Sequence, residues 1–176
     1  MVELLKSNPA DLSSDVASGV HMLLRDAFAD DAVRQGDYYR AHGGAPSLVM
    51  ILREAQQVIG HLALYQRQVT IGRESLQIGM LGGIVVAPRS RRRGHSRVLV
   101  QHAHKHLRAC DIPFSILFAY EPRVYASSGY RLMQNETRFI DRDGMAKTFV
   151  YRGSMYAELL QRRWPNQLLD LCGPAV

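Results

Sequence analysis

The chain has 176 residues, 47% hydrophobic and 22% charged, enough for one substantial core and too short for two independent ones. Two cysteines exclude a disulfide framework, and a formal net charge of +6 favours an anionic partner: nucleic acid, a membrane surface or a phosphorylated ligand. The longest apolar stretch, residues 79–87, is far too short to cross a bilayer, and the first residues lack a signal-peptide pattern, so a soluble, cytoplasmic protein forming a single domain over 1–176 is expected.

Residues 3–7 read as a short first strand. Residues 12–29 read as a helix: Leu12, Val16, Val20, Leu23, Leu24, Ala27 and Phe28 recur at helical spacing behind the cap candidates Ser13, Ser14 and Asp15. A second, weaker helix is predicted over 31–41, ended by Gly43-Gly44. Residues 47–53 and 58–71 read as strands, the latter with Val69 and Ile71 alternating against Gln68 and Thr70. Gly72-Arg73 makes a turn, and Leu76, Ile78 and Met80 carry the next strand to Ala87. The first half is thus an antiparallel meander.

After Pro88 and a basic loop, residues 94–110 read as a helix closed by Asp111-Ile112-Pro113, with Cys110 expected as a buried thiol. Residues 114–119 form a wholly apolar strand, the pattern of a buried central position. A short helix over 124–128 stops at Gly129. Strands over 130–142 and 146–152 follow, with a turn at Asp143-Gly144, and the tail carries a helical patch over 155–163.

The middle of this map is a strand, a basic turn, a helix and a strand, which is one β-α-β crossover. Such a unit aims a helix N-terminus at whatever sits at the strand ends. Arg89, Arg91, Arg92, Arg93 and Arg97 fall within nine residues here, while the other basic residues are scattered, so the anionic partner is small or local. Pro88 blocks further strand, Gly94 lets the backbone approach a ligand without a Cβ in the way, and the first helical N–H groups are unpaired. Together they form a cradle suited to a diphosphate, with Ser96 adding a hydroxyl and the arginines reaching further phosphates. The spacing matches neither a dinucleotide-binding fingerprint nor a P-loop.

Val86-Ala87-Pro88 followed by Arg91-x-x-Gly94-x-Ser96 resembles the acetyl-CoA signature of the GCN5-related N-acetyltransferases (GNAT), with serine where that family has Gly or Ala. Val124-Tyr125-Ala-Ser-Ser-Gly129-Tyr130 is similar to its Leu-Tyr-x-x-x-Gly-Phe segment, and Val58-Ile-Gly-His61 to its third strand. The resemblance covers residues 45–132, with weaker support to 152. It implies an α+β (α/β) fold: a mixed, mostly antiparallel central sheet of six to seven strands, flanking helices and one β-α-β cofactor crossover. It also implies transfer of an acetyl or other acyl group from acyl-CoA to a primary amine by direct attack.

Carried over position by position, backbone groups of Ile84, Val85 and Val86 pair with the pantetheine arm. The amides of Arg91, Arg92, Arg93, Gly94, His95, Ser96 and Arg97 hold the diphosphate. An amide near Gly82-Gly83 polarises the thioester carbonyl, the alternative being a glycine pair that merely accommodates twist. Tyr125 takes the position of the general acid, the alternative being a packing tyrosine bonded to backbone. No carboxylate lies in the strand before Pro88 where some members place a base. The base stays open: Glu121 is a candidate because it follows the apolar strand directly, alongside His61, Glu74, Tyr120, the C-terminal carboxylate of Val176, a water chain, or an amine that arrives already neutral and needs no base. The resemblance implies no metal, an amine acceptor that is a small molecule or a peptide, and a homodimer as a family habit.

Three further features carry competing readings. His102 and His106 share a helix face, but two ligands are not a metal site and the plain reading is a partly solvated flank, with His104 pointing elsewhere. Tyr38 and Tyr39 are candidate acceptor contacts, or exposed loop aromatics. The arginine run by itself also suits a nucleic-acid-binding module, yet the following helix offers no aromatic or Asn/Gln reading face. A CoA-binding sensor without turnover is the remaining alternative.

Overall fold

The computed structural model describes residues 1–28, 38–41 and 43–176. Its contacts fall into two compact units, Met1–Tyr65 with Gly82–Ala103, and Gln66–Leu81 with His104–Val176.

In the first unit β1 (Val2–Ser7) pairs antiparallel with β2 (Leu48–Glu54), which pairs antiparallel with the start of β3 (Gln57–Ile71). The β2–β3 turn is two residues, Ala55 and Gln56, both with positive φ (47° and 67°). That is the turn geometry matching strand twist, achieved here without the glycine or asparagine that would signal it. Helix α1 (Ser14–Ala27) buries Val16, Val20, Leu23 and Leu24 on one stripe. It sits close on β3: a Cβ added to Gly19 would lie 2.7 Å from Val58 Cγ2. Ser13 occupies the N-cap of α1 without a side-chain hydrogen bond. The second predicted helix is seen as α2 (Tyr38–Ala41); its first part, 31–37, lies outside the described residues. Helix α3 (His95–Ala109) begins in this unit, where Leu99 and Val100 are fully buried and Leu99 packs over Gly60 of β3. Each such side chain contributes roughly 1.5–3 kcal/mol of burial.

The sheet follows the order β6 (Arg131–Leu132), β9 (Ser154–Glu158), β5 (Phe114–Phe118), β4 (Glu74–Val86), β3, β10 (Leu169–Asp170), β7 (Thr137–Ile140), β8 (Ala146–Phe149), of which the second unit takes β3 from Gln66 and β4 as far as Leu81. Here β4 and β5 run parallel, Gly79–Leu81 facing Ser115–Leu117, with α3 as the connection between them. This is the predicted crossover. Leu107 of α3 seals it, lying so close that a Cβ on Gly79 would meet its Cδ1 at 2.4 Å. Antiparallel pairs join β5 to β9, β9 to β6, β7 to β8 and β3 to β10. Strands β10 and β7 run parallel. The fold is mixed α+β with a mostly antiparallel sheet, as expected, and the described residues include ten strands, several of them only two to four residues long.

Three local expectations are corrected. The helical patch at 155–163 is not helical: residues 155–158 lie in β9, with Met155 and Ala157 buried and partner strands on both sides, and 159–163 are irregular, so strand pairing overrides the helical spacing. The strand predicted over 130–142 is interrupted after Leu132, where Asn135 turns inward to bond Pro165 O (2.9 Å), Gln167 O (2.5 Å) and Trp164 Nε1 (2.8 Å). Cys110 is exposed, because the buried stripe of α3 ends at Leu107.

Candidate functional site

The loop between β4 and α3 is anchored before it turns. Ala87 N–H donates to Ile59 O at 2.8 Å, and Pro88–Ser90 forms a single 3-10 turn with Ser90 buried. Arg91 Nε reaches back to Val86 O at 3.1 Å, and Arg89 hydrogen-bonds Gln57. The chain then passes through two left-handed residues, Arg92 (φ 60°) and Gly94 (φ 80°). Among the described residues, its two chain neighbours aside, no atom lies within 4 Å of where a Gly94 Cβ would stand, so backbone conformation rather than crowding selects glycine here.

Helix α3 opens directly after. Val98 N–H is the first to find an intrahelical partner, Gly94 O at 3.0 Å, which leaves the amides of His95, Ser96 and Arg97 at the positive end of the helix. Arg91, Arg92, Arg93, Gly94 and Arg97 are exposed, His95 and Ser96 half-buried. Among the described residues His95 Nε2 is a buried atom with no hydrogen-bond partner. This donor set, cationic at its rim and lined with amides, fits a diphosphate. Val85 is buried, whereas Ile84 and Val86 are half-buried on the neighbouring positions of β4. A cavity of about 700 Å³ also lies in this unit, lined by Asp15, Met22, Gln57, Val85, Pro88 and Arg91 among others.

Farther back along β4 lie Gly82 and Gly83, and Gly83 carries the kink of the strand with φ 55°. Tyr38 and His61 meet it, and Tyr39 stands behind His61. His61, fully buried, brings Nδ1 to 2.7 Å from Gly83 O. Its Nε2 lies 2.8 Å from the Tyr39 hydroxyl. A carbonyl can only accept, so Nδ1 carries the proton, Nε2 accepts, and Tyr39 donates. Burial pushes the His61 ring down to about 4, with the Gly83 bond opposing, so it is neutral at neutral pH. A base that weak, with both nitrogens engaged, is a poor proton acceptor. The Tyr38 ring packs on Gly83 so closely that a Cβ there would lie 2.8 Å from its hydroxyl. Tyr38 is buried and Tyr39 half-buried, so neither is an exposed loop aromatic.

The second unit holds the other candidates. Helix α4 (Arg123–Ala126) carries Tyr125, whose ring lies edge-on to Tyr130 at 6.2 Å. Burial pushes the Tyr125 phenol up to about 12. Among the described residues no hydrogen bond engages its hydroxyl, in contrast to a tyrosine tied to backbone. Tyr130 is buried, its hydroxyl 2.5 Å from Ser115 Oγ and 3.1 Å from His104 Nε2. No local sequence pattern signals this triad. Glu121 is exposed and its carbonyl accepts the Val124 N–H at 3.2 Å, on the segment that leads into α4. Glu74 pairs with Arg162 at the far end of β4, and Tyr120 is 85% exposed with Arg152 over its ring. His106 Nε2 lies 3.1 Å from Gln66 Nε2, and among the described residues no three His, Cys, Asp or Glu side chains cluster as metal ligands. No described helix is long and apolar enough to cross a membrane.

The family model of the acetyltransferase (GNAT) domain matches residues 10–133. Comparison with curated proteins gives no match. Among solved structures, the chain is similar to a GNAT-family N-acetyltransferase from Escherichia coli in complex with CoA: TM-score 0.70 and 20% identity, covering 97% of this chain and 91% of that one. It is also similar to a GNAT-family acetyltransferase from Brucella melitensis in complex with acetyl-CoA: TM-score 0.64 and 18% identity, covering 96% and 94%. A GCN5-related N-acetyltransferase from Kribbella flavida matches 77% of this chain at TM-score 0.59 and 18% identity, but this chain spans only 34% of its length. At these identities the likeness is one of fold.

Proposed function

Because this chain belongs to the GNAT acetyltransferase family, we propose that it transfers an acetyl or related acyl group from acyl-CoA to a primary amine by direct attack within a ternary complex. The observation that carries this reading is the β4–α3 loop: exposed Arg91, Arg92 and Arg93, the left-handed Gly94, and the open first turn of α3. Backbone groups of Ile84, Val85 and Val86 hold the pantetheine arm, and the amides of Arg91 through Arg97 hold the diphosphate. The CoA and acetyl-CoA bound in the Escherichia coli and Brucella melitensis proteins support that choice of ligand.

Acyl-CoA supplies the thioester. The amide that follows the Gly83 kink, that of Ile84, donates to the carbonyl oxygen as negative charge develops there. The amine nitrogen bonds to the carbonyl carbon and the C–S bond breaks. Tyr125 gives its proton to the departing thiolate; a phenol raised by burial stays protonated for that task at neutral pH. Glu121 takes the proton that the attacking amine loses. The acceptor is a small-molecule or peptide amine.

The test is thermal unfolding of the CoA-stripped protein with acetyl-CoA, followed by thiol release with a panel of amines. Ligand at about a hundred times its Kd adds roughly 2.7 kcal/mol. For a chain of this size that raises Tm by about 5–10 °C. No rise with acetyl-CoA or longer acyl-CoAs overturns the reading.

A further inference from the structure

A strand interior is an expensive place for a left-handed residue, and such positions persist only where neighbours over-determine them. Gly83 is clamped from two directions within its own unit. The Tyr38 ring covers its Cα side, and His61 Nδ1–H fixes its carbonyl at 2.7 Å. The histidine is itself held, since Tyr39 donates to Nε2 at 2.8 Å and thereby enforces the tautomer with the proton on Nδ1. The order is Tyr39 to His61 to the Gly83 carbonyl, centred on His61, which is 0% exposed. A packing histidine needs no such chain with its last bond spent on a kinked carbonyl.

A trans peptide sets its C=O and N–H on opposite sides of the C–N bond. Pinning the Gly83 oxygen toward His61 therefore turns the Ile84 N–H away from His61 and stops the peptide from rotating. We propose that His61, held by Tyr39, is a positioning residue that locks the Gly83–Ile84 peptide so that the Ile84 N–H is a preset donor to the acyl-CoA thioester carbonyl. This rests on the acyltransferase reading above and adds to it which side chains make the donor. His61 touches neither substrate nor the reacting atoms. Its contribution is orientation: a donor fixed before the reaction needs no reorganisation as charge develops. The neutral ring at about 4 agrees with a residue that holds a proton in place rather than exchanging it.

The experiment is difference infrared spectroscopy of acetyl-CoA labelled with carbon-13 at the thioester carbonyl, bound to the full chain, with kcat and Kd for acetyl-CoA measured alongside. The wild-type protein is expected to lower the carbonyl stretch relative to free acetyl-CoA. His61→Leu is expected to abolish that shift and lower kcat at least about tenfold, below the 10²–10³ typical of deleting a donor outright, with Kd for acetyl-CoA nearly unchanged. His61→Asn keeps a side-chain N–H where Nδ1 stood and is expected to restore most of the shift. Tyr39→Phe, which frees the tautomer but keeps the ring, is expected to fall between. Should His61→Leu fail to fold, the Asn and Phe variants carry the comparison. An unshifted carbonyl in the wild type, or a wild-type shift in His61→Leu (in Tyr39→Phe, should His61→Leu not fold), overturns this proposal while leaving acyl transfer standing. Failure of the wild type to bind acetyl-CoA at all overturns both.

Discussion

The Tyr130 hydroxyl stands 2.5 Å from Ser115 Oγ, joining the segment after α4 to β5. The same oxygen meets His104 Nε2 at 3.1 Å, so one buried hydroxyl satisfies groups on a strand and a helix. Removing it leaves both without that partner. Tyr130→Phe is expected to cost about 1–3 kcal/mol, the usual penalty of orphaning buried polar groups. Urea unfolding measures it; an unchanged midpoint shows that water replaces the hydroxyl.

Tyr130 also backs the ring of Tyr125. Tyr125→Phe keeps that edge-on contact and removes only the phenol. Turnover is expected to fall at least about tenfold, a modest share of what proton transfer contributes, while acetyl-CoA binding is nearly unchanged. Full activity in this variant removes Tyr125 from the mechanism.

Gly94 combines φ 80° with open space around it. Gly94→Glu adds backbone strain and a negative charge beside the arginines where a diphosphate is expected. The Tm rise given by acetyl-CoA should shrink to a small fraction of the wild-type value, whereas the ligand-free Tm should drop far less. An undiminished rise locates the ligand elsewhere.

His61 and His104 are both pushed by burial to about 4, His104 with help from the Arg108 charge. In the unfolded chain each takes up its proton near the ordinary value of about 6.5. Between those limits the unfolded state binds more protons, so stability is full above about pH 6.5 and falls as pH drops toward 4. The loss is on the order of 1.4 kcal/mol per unit for each ring. Denaturant unfolding from pH 7 to 4 reads this slope, and His104→Gln should flatten it by about half.

Gly79 faces Leu107 where β4 and β5 run parallel. Leu107 is fully buried, so it has little room to retreat. Gly79→Ala is expected to destabilise by about 1–3 kcal/mol through overpacking. Calorimetry giving a stabilised variant means that the helix shifts outward without cost.

The crossover is legible because its parts differ sharply in kind: an apolar strand ending at a proline, a run of arginines, one glycine and a long amphipathic helix. The loop residues named from sequence do lie together on one loop and helix start. The second half is less readable. The segment through β9 carries Met155, Leu159 and Leu160 at helical spacing, and only the two neighbouring strands decide otherwise. Strand β10 is two residues long, and no local pattern announces it. His61 reads from sequence only as a candidate base, by the company it keeps. Its two hydrogen bonds come from residues 22 positions away on either side, a separation that no motif spans. Asn135 and Tyr130 belong to the same class: polar side chains whose roles depend on partners fixed by the tertiary fold.

The contact between Tyr38 and Gly83 bears on how such chains diverge. A side chain at position 83 meets an unfavourable backbone angle and the Tyr38 ring at once, so position 83 cannot change without a change at 38. A relative with a smaller residue at 38 gains space but keeps the angle. A relative with a straightened strand loses the angle and no longer needs the ring. A change at position 83 should therefore come with one at 38 across descendants of this fold, and a lineage with a non-glycine residue at 83 marks the point where the kink, and whatever it serves, was given up.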